Sequence, residues 1–579
     1  MNIADNGVPA VHIDAAKILD NLVHELGLPK EVADLRSNVS FDGGEPFLPL
    51  PHKNQAASSA LHGLLAIAAA RILQLRGATK VPQIFINTDH ASLYLAGFAM
   101  STLDGHPVSS PSYLSLIPNV NEEETTLLRQ EIMNVYKTKD GRFFHTHCSL
   151  NASSMLKLIG LDPNLVVKDI EEAREVIGKE CLKYTAEELR MLCHSNGMVG
   201  EIVLQPAEFD NSDHGKIINS LPLARFIDIE SSNPGPSPLT GLPSTNSRPL
   251  EGIRVVELTR VIAGSVGGRL LAELGADVVR VIGPDLPDFS IFQPDYNLNK
   301  RPVHIDLRSK KGQEQMGHLL ASADIFLQGY RPGAMNRLGL SHERLAELGN
   351  KRGKPYIIVD EACYGGEAEN APWSLRPGYQ QIADGLSGVA WETGVASGLD
   401  EPVIPCLPIS DYCAGTLCTV MAVLGLVRRA EPGKFGVKGN SFFSPISLTA
   451  LDVWLRRQGQ YPISYVREKH ALHGFRYNTG LGPMLFKTLQ VKLAQDPLYN
   501  QPGFYNVIEH APFEGRARVT GQPRREEGGK GVKYICLGPV IKFDGIDTSY
   551  ISTAPWGYFR PGWSEADADA LEEALEEVP

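Results

Sequence analysis

Residues 249–284 read PLEGIRVVELTRVIAGSVGGRLLAELGADVVRVIGP, and this stretch decides the fold. The apolar, β-branched run from Ile253 to Leu258 reads as a buried strand, and the small residues Ala263, Gly264, Gly267 and Gly268 follow it. Arg269 to Leu274 continues with helical periodicity, Gly275 breaks it, and Val278 to Ile282 is a second run of buried-strand type. Strand, glycine-containing turn, helix and strand form a β-α-β unit, with small residues where a backbone must approach a phosphate-bearing ligand. Downstream the alternation continues, with strands expected at 303–307, 324–328 and 355–360 and helices at 309–322 and 333–349. It predicts an α/β fold, a Rossmann-like parallel sheet with crossover helices, whose ligand lies at the carboxyl ends of the strands. Those ends are the 259–268 turn, Asp306–Arg308, Gly329–Gly333 and Cys363–Gly366.

A unit of this kind normally opens a domain, yet here a long N-terminal part precedes it. Residues 227–249 are rich in Pro, Ser and Gly and read as a linker. The expected division is therefore 1–226, the linker 227–249, and 250–579, with an exposed loop near 519–531. The two parts share a pattern. HGLLAIAAARILQLRGATKVPQIFINTDHASLYL, from His62, and AGTLCTVMAVLGLVRRAEPGKFGVKGNSFFSPISLTAL, from Ala414, both run long apolar helix, break, strand, helix. Gly63 then matches Gly415 and Arg76 matches Arg428, so duplication into two related halves stands beside coincidence between two Ala-rich helices.

A chain of 579 residues needs more than one core, and 43% hydrophobic with 21% charged residues is ordinary for a soluble globular protein. The net charge of −12 argues against nucleic acid as a partner. No apolar run of the ~20 residues that span a bilayer is read from the sequence. The eight cysteines form no C-x-x-C pair, and Cys406, Cys413 and Cys418 read as buried free thiols without histidines at metal spacing. With no basic-then-apolar leader in MNIADNGVPAVHIDAAK, a reducing, cytoplasmic setting is expected.

The segments PLEGIRVVELTRVIAG, LLAELGADVVRV, NKRPVHIDLRSKKG, ADIFLQGYRPGAMNRLGL, YGG with RPGY and LSG, and LPISDYCAG stand in one order across 248–430. Together they resemble the class III CoA-transferases, the family of formyl-CoA:oxalate transferase, carnitine CoA-transferase and α-methylacyl-CoA racemase. DGRFFHTHCSL, residues 140–150, is similar to that family's small-domain strand, so the N-terminal part resembles its downstream portion, whereas residues 455–579 match poorly. The resemblance implies a class III fold, acyl-CoA and a carboxylic acid as substrates, no metal, and an interlocked homodimer.

It also implies site residues. CoA contacts fall on Val261, Ala263, Arg308, Tyr330 and Arg337. Arginines suit phosphates and a tyrosine suits adenine, although helix-end arginines are commonly just solvated charges. Family transferases use an aspartate that attacks the thioester, forms a mixed anhydride, becomes an aspartyl-CoA thioester and passes CoA to the acceptor. In WETGVASGLDEPVIP (391–405) the match is Asp400, with Tyr364 lining the site, while a solvated loop carboxylate beside Glu401 is the plainer reading. Ile262, Ile282, Gly283 and Ala362 stand where the family carries polar or charged residues, so altered active-site residues are expected. Tyr364 and Gln380 hold the positions of the racemase His–Asp pair, which disfavours a racemase. Asp384, four residues beyond Gln380, either restores a carboxylate to the cleft or, more simply, has a helix-surface or capping role. Asp89–His90 and His145 with His147, which share one strand face, offer a base or a metal pair without a third ligand. The expected function is CoA transfer through an aspartyl intermediate. The alternatives are a lyase or isomerase acting on a carboxylate or acyl-CoA, and a non-catalytic homologue.

Overall fold

The structure, a computed structural model, describes residues 7, 10–118, 126–229, 236–244, 246–366, 370–436, 441–495, 502–513 and 531–576. The first part contains α1 (Val11–Glu25), β1 (Val39–Asp42), α2 (Asn54–Leu75), β2 (Ile84–Asn87) and α3 (Thr88–Tyr94). A small antiparallel sheet follows, β3 (Asn134–Lys137), β4 (Phe143–Thr146) and β5 (Gly200–Ile202), in the order β3-β4-β5. The second part begins with β6 (Ile227–Asp228), β7 (Arg254–Leu258), α4 (Ala263–Glu273), β8 (Asp277–Ile282) and β9 (Lys300–His304). It continues through α5 (Lys310–Ser322), β10 (Ile325–Gln328), α6 (His342–Lys351), β11 (Ile357–Ala362), α7 (Gln380–Leu386), α8 (Ile409–Ala430), β12 (Phe442–Ser447) and α9 (Leu448–Arg457). Near the end come β13 (Tyr505–Ala511), β14 (Val532–Leu537) and β15 (Ile541–Phe543).

Seven strands form the main sheet in the order β9-β8-β7-β10-β11-β12-β6. The first six run parallel, with Val255 opposite both Val278 and Ile325. The order reverses between β7 and β10, and the crevice outside a reversal of this kind is where open parallel sheets bind ligands. Val255, Ile325, Ile357 and Val359 face the larger core, which α2, α4 and α8 share, while Val256, Phe326 and Ile358 face a smaller one under α5 and α6. Strand alternation therefore sorts the side chains of each strand between two layers.

The glycines of the opening stretch are also required by packing inside the protein. A Cβ on Gly267 would lie 3.1 Å from Cys418 Cβ and 3.2 Å from the Gly415 carbonyl oxygen. One on Gly415 would lie 2.5 Å from the Ala263 carbonyl oxygen, and one on Gly264 2.6 Å from Thr259 Cγ2. Gly267 and Gly415 are small because α4 and α8 pack backbone to backbone, while Gly264 is crowded by Thr259 of the preceding turn, and Thr419 Oγ1 donates to the Gly267 carbonyl at 2.9 Å across the α4–α8 seam.

Several sequence expectations need correcting. The helix expected at 333–349 is two, Ala334–Arg337 and α6, because Gly339 turns left-handed (φ 73°) and Ser341 caps the second by accepting from Arg344 N–H. The strand expected at 303–307 is β9, which starts at Lys300. Ile227–Asp228, placed in the linker by composition, is β6 and pairs antiparallel with Phe442–Phe443. Two helices, α2 and α8, are long and apolar enough to cross a membrane, contrary to the sequence reading. Of the qualifying windows, however, 94% and 100% are buried inside the protein, as expected of core helices. The loop near 519–531 lies outside the described residues apart from Gly531. All eight cysteines are free and buried.

The repeated pattern is visible in three dimensions. Both long helices are 22 residues, each is followed by a strand and a helix, and α2 packs on α8. β1 pairs parallel with β2 as β11 does with β12, and Asn87 and Ser447 cap the following helices. The parts are tied at several places. β15 pairs with β2, and Arg76 donates to the carbonyls of Thr240 (2.9 Å), Gly241 (3.4 Å), Pro249 (2.8 Å) and Glu251 (2.8 Å).

Two outcomes follow from this packing. Gly415→Val should lower stability by about 1–3 kcal/mol, because the clash is with backbone on α4 and cannot be relieved by a rotamer change; thermal unfolding of the purified chain reads it. Arg76→Met keeps the buried stem but leaves the four carbonyls without a donor, at about 1–3 kcal/mol for each that water cannot reach. Limited proteolysis should then cut fastest between residues 229 and 249.

Candidate active site

The turn after β7 is built on a buried charge network. Glu257, fully buried on β7, pairs with Lys300 Nζ on β9 at 2.8 Å and accepts from Thr259 Oγ1 at 2.5 Å. Lys300 also donates to the Ser265 carbonyl at 2.7 Å, and burial pulls its pKa down to about 7. Arg280 on β8 donates to Asn297 Oδ1 and Ser265 Oγ, both at 2.9 Å. With three strands and α4 cross-linked below it, the turn holds Val261 at φ 57°, which is unusual for a β-branched residue. The Val261 N–H points at the buried Asp288 carboxylate, 3.3 and 3.4 Å away. Strain of this sort persists only where the surroundings over-determine it, and it concentrates at functional sites.

Three other segments meet at the same edge of the sheet. The β10 end supplies Gly329 and Tyr330, the β11 end supplies Glu361 to Gly366, and the first turn of α8 supplies Asp411. A small cavity of about 40 Å³ opens here, lined by Gln328, Tyr330, Gly333, Asp360, Glu361 and Gly365 among others. Asp411 is 8% exposed and sits one helical turn before Gly415, the residue that touches Ala263; that spacing puts it on the face of α8 turned to the strained turn. Burial pushes its carboxyl well above the usual range, and the charges of Glu361 and Asp452 push it further. Asp384 on α7 is also buried and raised, by burial and by Asp452 and Asp411, and it accepts from Gln380 Nε2. A surface role for Asp384 is thereby overturned.

The sequence candidates divide. Val261 and Ala263 form the turn, and Tyr330, half-buried, lines the cavity with its N–H donated to Gln328 Oε1 at 2.9 Å. Arg337 is exposed at the end of its short helix. Arg308 is exposed and already neutralised by Asp306 (2.8 Å) and Asp285 (3.1 Å), so it is a paired surface charge. Tyr364 is 1% exposed and its hydroxyl donates to Glu201 Oε2 at 3.4 Å; it ties β5 to the second part and does not line the cavity. Asp400 is exposed in the bend after the helix Val389–Ala396, while its neighbour Glu401 accepts from Arg476 at 2.5 and 2.9 Å. His145 and His147 lie on β4 and just past its end. His147 stacks on Tyr379 at 4.3 Å, and burial lowers the two imidazoles to about 4 and about 3 respectively. Among the described residues, no group of three His, Cys, Asp or Glu side chains could hold a metal ion. His90 stacks on Phe504, and Asp89 accepts from Gly44 N–H, away from this edge.

Sequence reasoning missed Asp411 and Glu361. The signal for Asp411 was present in LPISDYCAG, an acidic residue in the first turn of a long apolar helix, where the helix dipole favours an anion. Glu361 offered only a charge at the end of an apolar strand.

Comparison with known proteins agrees with this architecture. The profile of CoA-transferase family III matches residues 250–478. The acetyl-coenzyme A transferase nodX of Hypoxylon pulicicidum is 33% identical over 97% of this chain and 94% of its own length. An acyl-CoA transferase of Gibberella moniliformis is 32% identical over 90% of this chain and 89% of its own. The human succinyl-CoA:glutarate CoA-transferase is 30% identical over 34% of this chain and 46% of its own. These names support an enzyme of CoA transfer acting on acyl-CoA and carboxylate substrates. Since one relative shares a third of its residues over nearly the full length of both proteins, the chain belongs to CoA-transferase family III.

Proposed function

We propose that this enzyme moves CoA from an acyl-CoA to a carboxylic acid through an aspartyl intermediate, and that Asp411 is the nucleophile in place of Asp400. The observation that carries this reading is the position of Asp411: a buried carboxyl in the first turn of α8, facing the strained turn where the parallel sheet reverses order. An exposed loop carboxylate such as Asp400 is solvated and, among the described residues, makes no hydrogen bond or ion pair, and both properties weaken a nucleophile that must be oriented.

The steps balance without an added reactant. The Asp411 carboxylate attacks the thioester carbonyl, the C–S bond breaks, and CoA leaves as thiolate beside an aspartyl anhydride. The thiolate attacks the Asp411 carbonyl and releases the first acid as carboxylate, leaving an aspartyl-CoA thioester. The acceptor carboxylate then repeats the first step on that thioester, and the thiolate takes the acceptor's acyl group, which regenerates Asp411. A dry site suits this cycle because water would hydrolyse both the anhydride and the thioester. Backbone at Val261 and Ala263 would line the pantetheine arm, with Tyr330 and Arg337 on the nucleotide side; Arg308 would first have to give up its two carboxylates.

Incubation with acetyl-CoA and hydroxylamine, followed by peptide mass analysis, should place a hydroxamate on Asp411. Asp411→Asn should lower turnover at least about 10³-fold, as expected for a lost nucleophile, while Asp400→Asn should stay within about twofold of wild type. A hydroxamate on Asp400, or turnover with none on Asp411, would overturn the assignment.

A further inference from the structure

Parallel register places Arg260. β7 and β10 pair Leu258 with Gln328, and just past the ladder the Gly329 N–H donates to the Leu258 carbonyl at 3.0 Å. Thr259 Cγ2 lies 4.0 Å from where a Gly329 Cβ would stand. Two residues beyond the paired Leu258 and Gln328, Arg260 therefore comes abreast of Tyr330, at the wall of the cavity. The residues on either side of it are held: the Thr259 hydroxyl donates to Glu257, and the strained Val261 points its N–H at Asp288. Three residues on, the Ala263 carbonyl meets Gly415, one helical turn after Asp411. Arg260 thus stands on the same short turn that faces the proposed nucleophile.

Its charge is left open. Arg260 is half-buried, its Nη2 is out of solvent without a hydrogen-bond partner, and among the described residues it makes no hydrogen bond and no ion pair. Other cations of this edge are committed. Lys300 pairs with Glu257, Arg280 bonds Asn297 and Ser265, Arg308 pairs with Asp285 and Asp306, and Arg331 donates to the Gly197 carbonyl. Arg337 is exposed, where solvent serves it. Asp288 feels the charge of Arg260, but its oxygens already accept from the N–H groups of Val261 and Phe289 and face Arg280 at 3.8 Å. A guanidinium carries five donors in a fork that fits a carboxylate, and taking it from water without a partner is costly.

The first part of the chain closes over the same place. Arg260 acts on Tyr379 as well as on Tyr330, and His147 stacks on Tyr379 at 4.3 Å with the rings 5° from parallel. Ser149, whose N–H donates to His147 Nδ1 at 3.0 Å, is held left-handed (φ 49°), and its hydroxyl is also buried without a partner. Buried polar atoms are nearly always satisfied, so orphaned donors on both sides of one stacked pair of rings mark a place for a ligand.

The cycle says which ligand. The acid enters and leaves as a carboxylate, and the edge it must reach is acidic, with Glu361 at the cavity and Asp384, Asp452 and Asp411 buried nearby. An anion is drawn into such surroundings only where a cation offsets them. The phosphates of CoA are anions too, but they lie at the far end of the pantetheine arm from the thioester, whereas Arg260 stands at the thioester end. We propose that Arg260 receives the carboxylate of the acid, holding the acceptor through both arms of its guanidinium as it comes to the aspartyl-CoA thioester. This rests on the reading of the enzyme as a CoA-transferase with Asp411 as nucleophile.

The probes are acetyl-CoA and isotope-labelled acetate. Acetate is the acid that the first half of the cycle releases, so labelled acetate re-enters by the reverse step, attacks the aspartyl-CoA thioester and leaves as labelled acetyl-CoA. Exchange is measured against acetate concentration. Hydroxamate formation on Asp411 is followed separately with acetyl-CoA and hydroxylamine, where no acid has to bind. Arg260→Gln should raise the KM for acetate about 10- to 100-fold, as for a lost charge-assisted hydrogen bond. Its hydroxamate rate and its calorimetric CoA affinity should fall less than about fivefold. Arg260→Lys, which keeps the charge without the fork, should lie between Arg260→Gln and wild type. An unchanged acetate KM in Arg260→Gln overturns the proposal. A loss of CoA affinity in its place overturns it in favour of the CoA phosphates, and an equal fall in exchange and hydroxamate rate overturns it in favour of a structural arginine. Wild type that forms the hydroxamate yet takes up no label overturns it as well. Exchange with no hydroxamate on Asp411 fails the nucleophile assignment alone, and the acetate KM of Arg260→Gln still decides the role of Arg260.

Discussion

The close approach of α4 and α8 is the constraint on which the site depends. Helices whose axes come this near need glycine on both sides, and Gly267 and Gly415 supply it. The consequence reaches beyond packing. A helix held at that distance presents its first turn to the turn after β7, so the depth and direction of Asp411 follow from residues that carry no chemistry. Any side chain on Gly415 would lever α8 outward and carry Asp411 with it.

The same seam is stiffened by buried charges. Arg269, inaccessible to solvent, pairs with Asp295 at 2.5 Å, donates to the Tyr550 hydroxyl at 3.1 Å, and lies between the rings of Tyr94 and Tyr550, 4.9 Å from each. Tyr94 comes from α3 and Tyr550 from the C-terminal segment, so one guanidinium joins three distant parts of the chain. A buried pair contributes less stability than its Coulomb attraction suggests, since both ions lose their water. Its geometry is demanding, however, and removal of either partner would leave an uncompensated charge. On the other side of α4, Glu257, Lys300 and Arg280 play the equivalent part under the strained turn. The turn can hold Val261 left-handed because the residues beneath it cannot move.

The two parts of the chain are interleaved rather than joined end to end. Glu201, from the small antiparallel sheet, accepts from Tyr364 and from Arg376 at 2.9 Å, and the Leu204 N–H donates to the Gly385 carbonyl at 3.0 Å. The first part therefore closes over α7 and the β11 end, while β15 returns to pair with β2. Arg76 and β6 fasten the segment between the parts, which composition alone marks as a connector. Pro, Ser and Gly enrichment reports weak local preference, and it cannot reveal that a buried arginine will collect four carbonyls.

By itself the sequence determined the alternation of strands and helices from residue 250 onward, the parallel sheet that follows from it, and the family resemblance. Those are local properties, set by periodicity and by motifs whose spacing is fixed along the chain. It led to Asp400, while the signal for Asp411, an acidic residue opening a long apolar helix, went unread. Only the tertiary structure separates them: Asp400 is left in solvent, while α8 carries Asp411 into a dry cluster with Glu361, Asp384 and Asp452. The glycines of residues 263–268 show the same limit. Their spacing is that of a ligand-binding turn, but what fills the space beside Gly267 is α8, about 150 residues further on, and that was decided by long-range packing.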